Sequence, residues 1–513
     1  MGTEPTTRDL PSHSGELLDL RNHVIQSMVH GRGSALNQDL LDSPQFGKTK
    51  SFGNIKIQLE CGVFDTYLFE TSVHDHHVLA LTMGDISSSE PILVRMHSEC
   101  ITSETLGGCD CDCVEQLNTA LKKIAEEGRG ILFYLRQEGR NAGYGSKARD
   151  REMVCASNSE IGTYDAYREL GLAPDLRDYS SLKEITYLLG INAPFRLMTN
   201  NPDKINGLRS SGFNISEAVQ IFHPENPFNA RYLSQKGEYG HTYSSNESIE
   251  FAHLPLVEPF KPHRLAGALR IEKMARYPLP LKTTSGNLFI DEDQYQRLLL
   301  LQAEYPNLFA ANYEQFPGSH KVTIDPKYLD QQKIKEYLQL HPYIFDTYVY
   351  TDSATLGRGK DYVVLSYDKA PNKTPLVRVH SESILDRLPL HSDISSDTYQ
   401  RSVQAILDHG RGMIVLAPNE GRGKGLGIEF LERRAKQLGV ATSDQELNDL
   451  LGAPKDNRDY SAVALLIRQH YGKGNIDLIF NCADSVTEKR SLIAQLNQLE
   501  IFVPKYTILN GEN

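Results

Sequence analysis

The chain has 513 residues, of which 40% are hydrophobic and 23% charged, so it can bury a core and is not globally disordered. Its length predicts roughly three domains, or two domains with connecting segments. The formal net charge of -12 argues against a nucleic-acid or anionic-membrane surface spread over the whole protein, so an anion must be held at a local basic site.

The sequence carries no pattern for membrane insertion or secretion. Apolar runs such as residues 298–301 fall short of the roughly 20 residues that a transmembrane helix needs. The first residues lack the charged and apolar regions of a secretory signal, so we expect a cytoplasmic protein. Four of the cysteines fall between Cys100 and Cys113, and in a reducing cytosol such a cluster indicates metal binding or catalysis rather than disulfides.

The predicted elements alternate between helix and strand. Residues 1–49 are interpreted as an N-terminal extension, in which only residues 17–29 show periodicity. Residues 114–127 place apolar side chains three and four positions apart, which predicts an amphipathic helix. Gly128 and Gly130 end that helix, and residues 131–135 predict a buried strand followed by a Gly- and Arg-rich loop. This order favours a mixed α/β architecture.

The second half of the chain repeats the first. Phe-Asp-Thr-Tyr at residues 64–67 recurs at 345–348, Glu-Gly-Arg at 138–140 recurs at 420–422, and other matches keep the same order. We infer a tandem pair of α/β domains with mixed sheets, at 50–245 and 336–513. Between them, residues 246–335 predict a connector that is first Pro-rich and then helical over 291–304 and 326–340.

Cys100, Cys111 and Cys113 are candidate zinc ligands, because thiolates suit zinc and two of them precede a predicted helix whose positive end lowers thiol pKa. Sulphurs that share a zinc ion lie within about 4.6 Å of each other. Cys109 joins the others only if the chain bends sharply. We therefore favour three cysteine ligands and a fourth position open to water over a closed four-cysteine site. The alternative is a set of buried reduced thiols. Ser383 stands at the position of Cys100 in the second copy, which we expect to lack zinc.

Taken together, the motifs resemble the GTP cyclohydrolase II family. The resemblance rests on Val-Arg-Met-His-Ser-Glu-Cys at 94–100, Cys-Asp-Cys at 111–113, Glu-Gly-Arg-Asn at 138–141, Arg-Asp-Tyr at 177–179 and Thr-Asn-Asn-Pro at 199–202. It covers residues 55–245, and a degraded match covers 336–510. The family opens the imidazole ring of GTP at C8 and releases formate and pyrophosphate at the start of riboflavin synthesis.

This resemblance implies a role for each matching residue. Zn²⁺ would be held by the three cysteines and Mg²⁺ would accompany the triphosphate, while Asp175 would accept a proton and Arg177 would act at the α-phosphate. A purine C8 is a poor electrophile, which agrees with a need for zinc, and guanidinium forks suit a triphosphate. The residues that would contact the nucleotide are Arg95, Met96, His97, Ser98, Glu99, Gln116, Glu138, Gly139, Arg140, Thr163, Thr199 and Lys204.

Two departures from the family pattern bear on the reaction. Arg151 stands where the family has a tyrosine associated with catalysis, with Tyr144 as a candidate substitute, and Asp110 reverses a charge beside the cysteines. One alternative is therefore an enzyme that stops at the formylamino-pyrimidine or uses another nucleotide. A second alternative is a nucleotide-binding regulator whose zinc site Cys109 closes.

The resemblance also bears on partners. We expect GTP or a related purine nucleotide as the ligand and neither nucleic acid nor membrane as a partner. The family's homodimers predict either a homodimer or the pairing of the two copies within one chain.

Overall fold

The computed structural model of the chain describes a defined set of residues. They are 49–71, 77–158, 160–223, 225–238, 271–281, 287–290, 292–309, 314–316, 319–328, 331–334, 343–352, 361–390, 394–439, 446–448, 456–482 and 489–509, with a few single or paired positions between them. Almost all of the predicted N-terminal extension and parts of the predicted connector therefore lie outside the described residues.

Eighteen strands and eleven helices are found in the described residues. The strands are β1 (Lys50–Leu59), β2 (Gly62–Glu70), β3 (His77–Met83), β4 (Ile92–Ser98), β5 (Gly130–Leu135), β6 (Phe195–Met198), β7 (Ile215–Val219), β8 (His263–Arg264), β9 (Ile271–Leu281), β10 (Asn287–Ile290), β11 (Glu314–Phe316), β12 (Ser319–Thr323), β13 (Tyr343–Asp352), β14 (Asp361–Asp368), β15 (Leu376–Ser381), β16 (Arg411–Ala417), β17 (Gly474–Phe480) and β18 (Ile501–Ile508). The helices are α1 (Cys113–Glu127), α2 (Tyr144–Ala156), α3 (Thr163–Glu169), α4 (Ser181–Leu188), α5 (Pro202–Ser210), α6 (Ala230–Glu238), α7 (Glu292–Glu304), α8 (Ile394–His409), α9 (Leu426–Gln437), α10 (Ser461–Tyr471) and α11 (Arg490–Gln498).

The first half forms a seven-stranded mixed sheet in the order β1-β2-β3-β5-β4-β6-β7. The strands from β1 to β5 in this order pair antiparallel, and β5, β4, β6 and β7 pair parallel, with Val94 opposite Ile131. Every residue of β5 is buried because apolar clusters cover both faces of the sheet. The prediction of a mixed α/β architecture is confirmed.

Helix α1 packs on one of those faces. Its buried residues Leu117, Ala120, Leu121 and Ile124 form a single stripe, as the periodicity predicts. The helix ends at Gly128, whose left-handed φ of 69° costs glycine little. Since β5 follows directly, this turn sets the register of the central parallel strands.

The second half repeats this topology with a strand that sequence reasoning assigns to the connector. Its sheet runs β18-β17-β15-β16-β14-β13-β9-β8. Strand β9 pairs along its length with β13 and takes the place that β1 has in the first sheet. Thus residues 271–281, predicted as Pro-rich connector, belong to the second sheet, and Pro278 and Pro280 lie within a strand.

Strand β8 precedes β9 and pairs with it, and residues 282–335 of the predicted connector lie in an insertion between β9 and β13. It contains α7, which confirms the helix expected over 291–304, and a three-stranded sheet in the order β10-β12-β11. Of the helix expected over 326–340, the structure shows a 3₁₀ turn at Pro326–Tyr328 and helical residues at 332–334 and 337, and other parts of it lie outside the described residues.

The two halves share apolar cores and backbone hydrogen bonds. Leu59 bridges Leu390, and the amide of Cys109 donates to the carbonyl oxygen of Pro280 at 3.0 Å. Phe430 of α9 lies in the same cluster as Leu121 of α1. In the described part of the chain, no helix has both the length and the apolar character needed to cross a membrane.

Candidate active site

A polar cavity opens where the central parallel strands of the first sheet end. Strand β4 contributes its last residues, β5 is followed by the turn at Glu138–Asn141, and Thr199 follows β6. The carboxyl ends of neighbouring parallel strands are where α/β folds place ligands. The topology therefore gathers three separate sequence motifs at one edge.

Three thiols meet at this edge. Cys100 directly follows β4, and Cys111 and Cys113 return to it at the start of α1, so that the three sulphurs lie within 4.8 Å of one another. The Sγ atoms of Cys100 and Cys111 are 3.7 Å apart. The hydroxyl of Ser103 accepts a hydrogen bond from the amide of Val114 at 3.0 Å and helps to close the intervening loop.

Cys109 is turned away from the cluster. Its Sγ donates to the carbonyl oxygen of Pro280 at 3.4 Å, in β9 of the second half. The geometry thus separates this thiol from the other three, as the spacing argument expects. Three clustered sulphurs form a donor set that fits zinc with one position left for another ligand.

Glu138 and Lys147 stabilise the start of the loop that runs from Cys100 to Cys113. One oxygen of Glu138 accepts from the amide of Ile101 at 2.6 Å, and the other accepts from the amide of Gly139 at 2.7 Å and from Lys147 Nζ at 2.6 Å. Lys147 Nζ also lies 3.1 Å from the Sγ of Cys100. Burial opposes the charge of Lys147, but the neighbouring Cys100 and Glu138 raise its pKa well above the ordinary value.

The turn after β5 has a strained backbone. Gly139 and Arg140 have φ values of 57° and 54°, in the left-handed region that Arg rarely adopts. The hydroxyl of Tyr167 donates to the carbonyl oxygen of Gly139 at 2.9 Å, and the guanidinium of Arg140 lies 4.0 Å from the ring centre of Tyr164. These contacts hold the Arg140 side chain at the cavity wall.

Positive charge is concentrated in the same wall. Arg95 donates to the carbonyl oxygen of Met198 at 2.9 Å, and Lys204 donates to that of Met96 at 3.1 Å. The Nε of Arg95 is buried and has no hydrogen-bond partner in the described part of the chain. Burial and the nearby Arg177 and Arg95 lower the pKa of Lys204 well below its usual value.

The pKa of His241 is also lowered by the positive charges around the cavity. Burial, together with the charges of Lys236, Arg177, Arg140 and Lys204, lowers the pKa of this histidine to about 4. Seven arginines and lysines line the cavity against four aspartates and glutamates, and this excess of positive charge favours an anionic ligand. The local basic site required by an acidic protein is therefore present.

Asp175 and Met96 are predicted site residues that are not among those lining the cavity. The carboxylate of Asp175 is forked to Arg177, with Nε at 2.9 Å from Oδ1, and it is not among the residues that line the cavity. Burial raises the pKa of Asp175, but the hydrogen bonds and charge of Arg177 outweigh burial and lower it. The Met96 side chain packs in the apolar core, and only its carbonyl oxygen faces Lys204.

Asp150 is a cavity carboxyl that sequence reasoning missed. It lies on α2 with 2% exposure, and its Oδ1 has no hydrogen-bond partner in the described part of the chain. Burial raises its pKa to about 6, although Arg151 and Arg140 act in the opposite direction. No pattern marks this aspartate in the sequence, because it stands within a run of charged residues.

The structure brings most of the predicted site residues together. Those that line the cavity are Arg95, His97, Ser98, Glu99, Cys100, Cys113, Gln116, Glu138, Gly139, Arg140, Thr163, Arg177, Thr199 and Lys204. Cys111 joins them through the thiol cluster. Lining residues that were not predicted include Asp112, Lys147, Asp150, Tyr164, Tyr167, Tyr232, Lys236 and His241.

The two departures from the family pattern have defined surroundings. Arg151 lines the cavity, and its Nε donates to Oδ2 of Asp110 at 2.7 Å, so the two unusual residues compensate each other's charge. The hydroxyl of Tyr144 lies 2.6 Å from that of Tyr277 in β9, and Tyr144 is not among the lining residues. Its position does not support the proposed substitution for the family tyrosine.

Comparison with known proteins agrees with this site. A model of the GTP cyclohydrolase II family matches residues 50–220 and 332–491, and the chain belongs to that family. GTP cyclohydrolase-2 from Saccharophagus degradans is 44% identical over 194 residues, which cover 37% of this chain and 94% of that protein. GTP cyclohydrolase-2 from Yersinia pestis is 43% identical over 193 residues, which cover 37% and 96%. The chain is thus a GTP cyclohydrolase II-like hydrolase.

A solved structure was also matched. It is RibBX, a two-domain 3,4-dihydroxy-2-butanone 4-phosphate synthase from A. baumannii, with 18% identity over 37% of this chain and 44% of that one. The TM-score is 0.21, and at that value the match does not bear on fold or function.

Proposed function

We propose that the chain opens the imidazole ring of GTP at C8 and releases formate and pyrophosphate, as the entry reaction of riboflavin synthesis. The observation that carries this proposal is the meeting of three thiols and a cluster of buried cations in one cavity. The family membership of both halves supports it. The first half would be catalytic, and the second half, with Ser383 in place of Cys100, would be its packing partner.

The thiol cluster would hold zinc. Its three sulphurs lie within 4.8 Å of one another, which suits thiolate ligands of one ion. A zinc ion there supplies Lewis-acid activation of water for attack at a poorly electrophilic purine carbon. Lys147 contributes positive charge beside Cys100 and donates to Glu138, whose pKa burial raises although Lys147 acts in the opposite direction. These contacts hold the loop that carries the first ligand in place.

The cationic wall would bind the triphosphate together with Mg²⁺. Arg95 and Lys204 each donate to the carbonyl oxygen of a different residue. The Nε of Arg95 has no partner among the described residues and is therefore a donor for a ligand oxygen. Arg140 is fixed by its aromatic neighbour, and Arg177 by the carboxylate of Asp175. Guanidinium groups bind phosphate oxygens in pairs, which orients the nucleotide as well as neutralising it.

Asp150 is the carboxyl best suited to move protons in this cavity. Both oxygens of Glu138 are occupied by donors, and Asp175 is held by Arg177 outside the wall. Asp150 keeps one free oxygen, and a pKa of about 6 lets it give and accept protons near neutral pH.

The test is to incubate the purified chain with GTP and Mg²⁺ and to measure formate, pyrophosphate and the absorbance of the product. The proposal expects formate and pyrophosphate in equal amounts, with activity that follows the zinc content. A chain fully loaded with zinc that releases neither would contradict it and would favour a nucleotide-binding regulator.

A second candidate function follows from the pairing of Arg151 with Asp110. No phenol stands at the position of the family tyrosine, and the guanidinium there is held by a carboxylate. If that tyrosine serves the release of formate, the chain would stop at the formylamino-pyrimidine. The same assay separates the two, because arrest gives ring-opened product and pyrophosphate without formate.

A further inference from the structure

Five charged residues meet where the two halves touch, and all of them are buried except Arg136, which is partly buried. Glu99 and Arg136 come from the first half, and Glu382, Arg387 and Glu420 come from the second. The Arg387 side chain is 1% exposed. Its Nη1 donates to Oε2 of Glu99 at 2.7 Å, and its Nη2 donates to Glu382.

Arg387 contacts one residue that lines the first half's cavity and one residue on the strand beside it. Glu99 lines that cavity directly and precedes the thiol Cys100. Nη1 of Arg387 also donates to the hydroxyl of Tyr134 at 3.3 Å. One guanidinium therefore contacts both a wall residue and the strand beside it.

From Tyr134 the contacts continue to His97. The Tyr134 hydroxyl donates to Oε2 of Glu104 at 2.5 Å, and the other oxygen of Glu104 lies 2.8 Å from Nε2 of His97. His97 lines the cavity. Since every member of this chain of contacts is buried, each side chain has few alternative partners and is held in one orientation.

The two halves supply their arginines from different positions of the repeat. Counted from the matching glutamates Glu99 and Glu382, Arg387 occupies the position of Glu104. Counted from Glu138 and Glu420, Arg136 occupies the position of Pro418. Two copies of either half could not form this pattern of charges. The second half therefore supplies an arginine, Arg387, where a second copy of the first half would carry a glutamate.

We infer that Arg387 of the second half is a positioning residue for the active site of the first half, because it fixes the side chains of Glu99 and, through Tyr134 and Glu104, His97. The inference rests on the proposed function. Without Arg387, Glu99 keeps only Arg136, whose Nε is 3.8 Å away and whose charge is shared with Glu382 and Glu420. The side chains of Glu99 and His97 would then no longer be held in one orientation, while the cysteines and the phosphate-binding cations would stay in place.

The experiment compares Arg387→Gln and Arg387→Lys with Arg434→Gln in the full chain. Arg434 is a matched control, because it also reaches across the contact between the halves, to the carbonyl oxygen of Phe52 at 3.1 Å, but does not line the cavity. We expect Arg387→Gln to lower kcat by about 10- to 100-fold with unchanged zinc content and a smaller change in KM. Arg387→Lys should recover part of that loss, and Arg434→Gln should stay within about twofold of wild type.

A folded, zinc-loaded Arg387→Gln chain with wild-type kcat would overturn the inference. So would an equal loss in Arg434→Gln, since the effect would then belong to the packing of the halves in general. Wild-type protein that does not open the GTP ring would instead remove the proposed function. In that case the inference is decided by the Kd for GTP, which Arg387→Gln should raise about tenfold and Arg434→Gln should leave unchanged.

Discussion

The two halves share a polar frame that does not depend on the thiols. Arg95 donates to a carbonyl oxygen at the end of β6, and Arg378 donates to that of Ile479 in β17 at 3.3 Å. Lys204 donates to Met96, and Lys489 donates to Val379 at 2.8 Å. Since these contacts recur in a half without Cys100, they first of all connect strand β4 or β15 to neighbouring elements of its own half, and their presence alone does not identify a catalytic site.

The halves differ around the glutamate that follows the central strand. Glu420 accepts from the amide of Ile384 at 3.0 Å, just as Glu138 accepts from that of Ile101. The position of Lys147, however, carries Glu429 in the second half. Burial raises the pKa of Glu420 to about 7, and Glu429 acts in the same direction. The second half thus keeps the glutamate but has replaced Cys100 and Lys147.

The largest loss of activity is expected when Cys100 of the first half is replaced by serine, the residue that the second half carries at this position. Cys100→Ser reproduces Ser383 and removes one of the three sulphurs, so activity should fall by at least about 1,000-fold and bound zinc should be lost. Product formation and metal analysis measure both effects. Cys61→Ser is the control, since Cys61 lies outside the thiol cluster, and it should keep both. Wild-type turnover in Cys100→Ser would show that the thiols are ordinary buried side chains.

Asp150→Asn should lower turnover by about 100-fold, because a positioned acid–base group contributes at least that much. Burial raises the pKa of Asp150 to about 6 in the folded chain, against roughly 3.9 when unfolded. The folded state thus binds the proton more tightly, and the stability that this carboxyl contributes is lost as the pH rises from about 4 through about 6.

Melting temperatures measured between pH 4.5 and 7.5 test that sign. Wild type should lose about 2 kcal/mol of stability relative to Asp150→Asn over this interval. Asp165→Asn is the control, because Asp165 is an exposed carboxylate paired with Arg168 on α3, and its variant should track wild type at every pH. Parallel curves for wild type and Asp150→Asn would contradict the placement of a buried proton on Asp150.

Arg177→Ala and Arg458→Ala compare the same fork in the two halves. Arg177 is forked to Asp175 as Arg458 is to Asp456, with Nε to Oδ1 distances of 2.9 Å in both. If Arg177 also binds phosphate, its removal should raise the KM for GTP or lower kcat by about 10- to 100-fold. Arg458→Ala should change either constant by no more than about twofold. If both variants lost activity and melting temperature to the same extent, the Arg–Asp pair would have only a structural role in each half.

Sequence reasoning found what local spacing encodes. The stripe of α1, the buried strand β5 and the three clustered cysteines each follow from patterns of a few residues. It missed β9, because an insertion of three short strands and a helix separates this strand in sequence from β13, its partner in the sheet. A strand with internal prolines also carries a signal typical of a linker.

Contacts between distant residues left no signal in the sequence. Arg387 and Glu99 are 288 positions apart, and Cys109 meets Pro280 across 171 positions. The family pattern named Asp175, but only the fold shows that Arg177 occupies its carboxylate and that Asp150 keeps a free oxygen in the cavity. The repeat could be predicted from the sequence, whereas the contacts between its two copies could not.

The smallest effect is expected at the rim of the contact between the halves. Gln437 of α9 accepts from the amide of Lys56 at 2.8 Å and donates to its carbonyl oxygen at 2.6 Å, which satisfies both polar groups of one residue in the edge strand β1. Because this site is exposed, water can replace the side chain, and Gln437→Ala should cost no more than about 1 kcal/mol of unfolding free energy. Urea denaturation measures that cost, and kcat and KM should not change. A kinetic defect in Gln437→Ala comparable to that of Arg387→Gln would show that the active site responds to any loosening of the contact, and the distinction between its buried centre and its exposed rim would fail.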